Sequence, residues 1–147
     1  MRRLALCLTI GLLLNPVAWA HAADTTSPFA APDLSAARAK IKAKDYAGAL
    51  ALLRPMLNSS INPDLFNLAG FCFRKTGDQK QAWVYYKKAL DLDPNHLGTL
   101  EYQGELFVET GQLDKARQNA AQLKILCPRG CEELEDLQAA IAKAPKG

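Results

Sequence analysis

The stretch Asn62-Pro63-Asp64-Leu65-Phe66-Asn67-Leu68-Ala69-Gly70-Phe71-Cys72-Phe73-Arg74-Lys75-Thr76-Gly77-Asp78, continued by Gln79-Lys80-Gln81-Ala82-Trp83-Val84-Tyr85-Tyr86-Lys87-Lys88-Ala89-Leu90-Asp91-Leu92-Asp93-Pro94-Asn95, decides the fold. Asn62 suits a helix N-cap, and Pro63 suits the first helical position, where its missing amide would lack a partner anyway. Phe66, Ala69, Gly70 and Phe73 recur at the i, i+3, i+4, i+7 spacing of one helical face, and Gly77 followed by Asp78 reads as a stop and then a new cap. In the second segment Ala82, Tyr86, Ala89 and Leu90 form one stripe, which ends at Pro94. Helices this short are marginal alone, so each stripe must be buried against another. Gly70 inside a helix costs about 1 kcal/mol relative to Ala. The expected offset is close approach of the two helices at Gly70 and Ala82, with Phe66, Phe73 and Tyr86 filling the space around them.

The same punctuation returns 34 residues later: Gly70 becomes Gly104, Phe73 becomes Phe107, Gly77 becomes Gly111, Ala82 becomes Ala116 and Pro94 becomes Pro128. The bulky positions depart, with Leu100 standing for Phe66, Gln103 for Ala69 and Ala120 for Tyr86. The later copy should therefore pack less bulk. A fixed period of about 34 residues with a small–aromatic–Gly–Ala–Pro pattern resembles the tetratricopeptide repeat. That resemblance implies an all-α, α-solenoid fold of three helix pairs, with repeats over about 33–62, 63–96 and 97–130.

The first of these copies is degenerate. Leu34, Ala37 and Ile41 make a first-helix stripe, and Asp45-Tyr46 with Ala49, Leu50 and Leu53 opens a second helix. Lys44 stands where the other copies carry Gly77 and Gly111, and Pro55 should end or kink the second helix, because it supplies no amide donor. After Pro128, residues 131–144 read as a single capping helix with Leu134, Leu137 and Ile141 on its apolar face. Glu132, Glu133, Glu135 and Asp136 near its start and Lys143 near its end suit the helix dipole. Such a cap keeps the end of a helical stack soluble.

Upstream, Met1-Arg2-Arg3, the apolar run Leu4–Leu14 and the small residues around Ala18, Ala20 and Ala22 read as a secretory signal peptide over 1–22, cleaved after Ala20 or Ala22. An uncleaved anchor would want about 20 apolar residues. Residues 23–32, rich in Ala, Thr, Ser and Pro, are expected to be a flexible leader before a domain over 33–144. The whole chain carries a formal net charge of +3, of which Arg2 and Arg3 supply two positive charges. The mature chain is thus nearly neutral, which speaks against a nucleic-acid surface. Export places the protein in the periplasm or outside the cell, with no integral membrane segment once the signal is removed.

In an oxidising compartment Cys127-Pro128-Arg129-Gly130-Cys131 is most simply a local disulfide that pins the cap helix. A redox-active or metal-binding pair is the alternative, giving a small periplasmic thiol-redox or metal-handling protein, and two free thiols are the third reading. Three intervening residues differ from the two of a thioredoxin-type motif, and no His follows the pair as covalent haem attachment would require. Cys72, between Phe71 and Phe73, reads as a buried core thiol. The histidines are His21, near the cleavage region, and His96, at a helix start. There is no phosphate-binding glycine loop and no Ser-centred nucleophile motif. The inventory points to a binding protein and not to an enzyme, with no cofactor and no metal.

What the resemblance implies for function is a concave groove lined by the first helix of each repeat, taking a protein or peptide partner. Residue by residue the groove pattern falls on Arg38, on Asn67, Phe71, Arg74 and Lys75, and on Glu101, Glu105 and Glu109, with Phe71 or Tyr102 as an aromatic foothold. Asn67 matches the asparagine with which one subgroup clamps a peptide carboxylate. Phe71, however, stands where that subgroup needs a base, and Glu101 and Glu105 would repel a carboxylate. A mixed-charge groove suits an extended or helical polypeptide better.

Overall fold

The computed structural model describes residues 32–145. The expected signal peptide and all of the expected leader except Pro32 lie outside them. Among the described residues the structure is all-α: α1 (Ser35–Lys42), α2 (Tyr46–Leu53), a 3-10 turn (Arg54–Met56), α3 (Pro63–Lys75), α4 (Gln79–Leu92), α5 (Leu97–Glu109), α6 (Leu113–Leu126) and α7 (Glu132–Lys143). None of these helices is long and apolar enough to cross a membrane.

The helix boundaries follow local chemistry. Asn62 Oδ1 accepts the amide of Asp64 at 2.9 Å, with Pro63 opening α3. Gly77 turns the chain at φ 89°, and Asp78 Oδ1 then accepts the amide of Gln81 at 3.0 Å to start α4. Asp45 caps α2 in the same manner through the amide of Gly48, and the preceding Lys44 holds the left-handed φ of 59° that Gly77 and Gly111 hold elsewhere. Pro55 ends α2 by diverting the chain into the 3-10 turn. At α5 the cap is His96, whose Nδ1 accepts the Thr99 amide at 3.2 Å.

Helix α3 runs antiparallel to α4. Phe66, early in α3, lies under the Lys88 ammonium of α4 at 4.2 Å from the ring centroid, whereas Phe73, late in α3, stacks on Tyr85 at 5.3 Å between centroids. The fully buried Tyr86 sits against Gly70, where an added Cβ would come within 2.6 Å of the ring. Gly70 therefore makes room for the ring of Tyr86, one of the residues expected to fill the space around it, and no atom of Ala82 is among its nearest neighbours. Residues of α1 and α2 join α3 in one core containing Leu34, Leu50, Leu53, Leu65, Phe66 and Cys72. Burial pushes the Cys72 thiol up to about 12, which leaves it protonated and inert at neutral pH.

A second core gathers Leu100, Leu123, Leu134 and Leu137 from α5, α6 and α7. Here Gln103 is buried in place of Ala69 and accepts a hydrogen bond from Asn119 Nδ2 at 3.1 Å, so an amide pair occupies part of the interface. Ala82 and Tyr86 of α4 meet Leu106 of α5 and connect the two cores. Phe107 and Ala116 are buried as Phe73 and Ala82 are partly and fully buried one period earlier. Cys127 and Cys131 are joined as a disulfide, with Cα atoms 6.0 Å apart, just before α7. Pro94 and Pro128 lie in the turns that follow α4 and α6.

Candidate functional site

Two adjoining clusters hold all nine residues of the expected groove, and Tyr102 belongs to both. In the first, Phe71 of α3 packs on Tyr102 of α5 at 4.8 Å between ring centroids and meets Tyr46 of α2 edge-on at 6.0 Å. The Arg74 guanidinium lies 5.7 Å from the centroids of both Phe71 and Tyr102, and the exposed Lys75 ammonium lies 5.2 Å from Phe71. Arg74 Nη1 donates to Glu109 at 2.9 Å, and Nη2 donates to Glu105.

The side chain of Arg74 is only 2 % exposed, which changes its expected role from groove contact to internal tie. Burial pulls its proton affinity down, but Tyr86 and the carboxylates of Glu105 and Glu109 outweigh that effect and hold the guanidinium charged. A cation enclosed by two aromatic rings and two carboxylates is occupied within its own chain. Charge reversal at Arg74 would therefore disturb folding before it reported on a ligand.

The second cluster surrounds a cavity of about 420 Å³. Its wall is built from α1 (Arg38), α3 (Asp64, Asn67, Leu68), α5 with its cap (His96, Gly98, Glu101, Tyr102) and α7 (Glu132, Glu133, Asp136). Every contributing helix is odd-numbered. Arg38 Nη2 reaches Asp64 Oδ2 at 3.3 Å, and His96 Nε2 reaches Asp64 Oδ1 at 3.1 Å. Because His96 Nδ1 accepts the Thr99 amide, the ring proton resides on Nε2 and points to Asp64.

Both basic groups of the wall thus converge on Asp64. Among the described residues Glu101, Glu132, Glu133 and Asp136 take part in no ion pair. Glu101 is only 7 % exposed, and burial, reinforced by Glu105, Asp136 and Glu133, raises its carboxyl to about 8 against the opposing pull of Arg74. It is protonated at neutral pH. Burial, reinforced by Glu101 and Glu105, raises Tyr102 to about 12. Asn67 is 6 % exposed, and its Oδ1 accepts no hydrogen bond among the described residues.

Arg38, Asn67, Glu101 and Tyr102 are thus brought to the cavity, while Phe71, Arg74, Lys75, Glu105 and Glu109 form the neighbouring aromatic and ionic cluster. Sequence reasoning missed Asp64, His96, Glu132, Glu133 and Asp136 as wall residues. The available signal lay in α7, whose first turns carry more acidic residues than a helix dipole requires. Among the described residues no group of three or more His, Cys, Asp or Glu is placed to hold a metal ion. Compared with family models and with curated proteins, the chain matches no family model and no curated protein.

Proposed function

We propose that the chain is an exported, periplasmic protein of the tetratricopeptide-repeat type, an adaptor or assembly factor that binds a polypeptide in its groove. In this reading α1–α2, α3–α4 and α5–α6 are the three helix pairs of a short α-solenoid, and α7 caps it. The carrying observation is the cavity wall, which takes residues from α1, α3, α5 and α7 and none from α2, α4 or α6. In stacked helical hairpins the first helix of each pair lines the concave face, where one ligand meets several repeats together. The recurrence of Gly70, Phe73, Gly77, Ala82 and Pro94 one period later supports the repeat assignment, and the basic start, apolar run and small residues of 1–22 support export.

The test is capture of a partner from an envelope extract by the mature chain, followed by charge reversal on two faces. Arg38→Glu with Glu133→Lys should release the partner, moderate salt should weaken the complex, and Lys87→Glu with Lys88→Glu on α4 should leave binding intact. Release by the Lys87/Lys88 change alone would make α4 the functional face and overturn the groove. Thiol titration and metal analysis of the same material address the rival thiol-redox or metal-handling role of Cys127 and Cys131. Two titratable thiols with bound metal would favour that role.

A further inference from the structure

We propose that the cavity between Asn67, Glu101, Glu133 and Asp136 receives a basic side chain, arginine or lysine, from the polypeptide partner. The inference rests on the groove reading given above and adds the chemistry of the partner's anchoring residue. Its first support is charge. Of the five carboxyl groups in the wall, Asp64 is paired with Arg38 and His96, and the other four are in no ion pair. A cation entering there meets the uncompensated negative charge of Glu132, Glu133 and Asp136 on α7, joined by Glu101 of α5 once that carboxyl ionises.

The second support is independent of the acids. Asn67 lines the same cavity, is more than nine-tenths buried, and has a carbonyl oxygen that accepts no hydrogen bond among the described residues. A buried acceptor without a donor is costly, and a guanidinium or ammonium brings several donors. The third support is Tyr102, which also lines the cavity and is an aromatic side chain of the kind that attracts cations. The chain already uses this chemistry next door, where the guanidinium of Arg74 lies beside Phe71 and Tyr102 and is bonded by Glu105 and Glu109. At about 420 Å³ the space exceeds the roughly 30 Å³ share of one water and admits a charged head with its methylene stem.

Glu101 makes the binding pH-dependent. Facing it are Glu105 on its own helix, Glu133 and Asp136 on α7, and Arg74 on α3, while Arg38, Asp64, His96, Tyr102 and Glu132 are the other titratable groups of the wall. Its carboxyl is neutral below about 8 in the unliganded protein. The ionised form attracts a cation and the neutral form does not, so affinity should rise as pH increases through that value.

The experiment titrates the isotope-labelled mature chain with Nα-acetyl-arginine amide and, separately, with the neutral isostere Nα-acetyl-citrulline amide. Saturable shifts at the Asn67 side-chain amide and the Gly98 and Glu101 backbone amides are expected with the arginine probe only, at millimolar affinity. Glu133→Gln with Asp136→Asn should weaken binding about tenfold or more, and Glu101→Gln should remove the rise with pH. Equal shifts from citrulline, or no saturable shift from arginine, would overturn the cavity. Calcium chloride or spermidine moving the same residues while the arginine probe does not would also overturn it, in favour of a free-cation site. A captured partner that still binds the Glu133→Gln/Asp136→Asn variant would leave the adaptor reading intact and sink the cavity. Arginine-probe binding with no polypeptide captured would do the reverse.

Discussion

Between α3 and α4 the ring of Tyr86 lies on Gly70, and the stacked rings of Phe66, Tyr85 and Phe73 fill the rest of the contact. One period later Tyr86 is replaced by Ala120 and Tyr85 by Asn119, and the space over Gly104 is taken by Leu137 of α7, whose Cδ atoms lie 2.5–2.6 Å from where a Cβ would sit. Two helix pairs with the same spacing of glycines thus reach close packing by different routes. The α3–α4 pair carries its filling side chain within itself. The α5–α6 pair borrows one from its neighbour, so α7 is part of the core as well as a polar end. A helix pair that lacks the aromatic side chain remains well packed only if the next element arrives at the right height.

The largest expected effect breaks this borrowing. Leu137 is fully buried, and Leu137→Ala should destabilise by about 2–5 kcal/mol, measured by urea denaturation. Amide exchange should accelerate first in α5, α6 and α7, with α3 and α4 less affected. The sharper version is a double-mutant cycle with Gly104→Ala. With Leu137 present the new methyl is crowded; in the Leu137→Ala background it partly fills the vacated space and gains about 1 kcal/mol of helix propensity. A Gly104→Ala effect of the same sign and size in both backgrounds would show that Leu137 is not what closes that position.

Gly70→Ala comes next and tests the self-contained pair. The obstacle is the ring of a fully buried tyrosine and not the end of a flexible chain, so the ring must shift as a whole. Overpacking of about 1–3 kcal/mol against a propensity gain of about 1 kcal/mol leaves a net loss of up to about 2 kcal/mol. Single Gly104→Ala should lose less, because the terminal carbons of Leu137 have rotamers available. Thermal unfolding of the two variants side by side decides the order, and a larger loss at Gly104 would invert the comparison.

These contrasts mark how far the sequence could be read. Helix starts at Asn62, Asp78 and His96 and the turn at Gly77 were legible because caps and turns depend on a few adjacent residues. Ala120 in place of Tyr86 announced a deficit of bulk in the α5–α6 pair, but nothing local says that Leu137 supplies it, since the approach of α7 is a tertiary fact. Arg74 read as a groove contact open to a ligand. Its burial follows from Glu105 and Glu109, which straddle Val108, the residue 34 positions after Arg74, and face it from α5. Asn67 and Glu101 are likewise one period apart, and both are buried in the same wall. Periodicity placed the residues next to one another, while the removal of water from them required the intact packing.

Reduction of Cys127–Cys131 is a milder way to disturb the borrowed contact. In the chain-entropy account a loop this short contributes about 2 kcal/mol. Because the bond lies immediately before Glu132, its loss should act on the seating of α7, and hence on Leu137 over Gly104, more than on α3 and α4. Denaturation with and without reductant, repeated in Leu137→Ala, should show a smaller effect of reductant in the variant. Equal effects would mean that the disulfide stabilises the chain without steadying the α7 contact.

The smallest effects concern the turns, where the pairs should not differ. Gly77 and Gly111 hold φ of 89° and 73°, and an added Cβ at either would find nothing within 4 Å. Replacing either by Lys therefore incurs backbone strain alone, about 1–2 kcal/mol, and the two losses should match despite the unlike interiors they connect. Nature's own version of this substitution is Lys44, which holds φ of 59° between α1 and α2. Lys44→Gly should accordingly gain about 1 kcal/mol, less than the full strain because glycine also loosens the unfolded chain. Denaturation midpoints of Gly77→Lys, Gly111→Lys and Lys44→Gly form one internally consistent set. A Gly111→Lys loss well above that of Gly77→Lys would mean that the α5–α6 turn is itself under load from α7, and the difference between the pairs would then extend beyond their cores into the backbone.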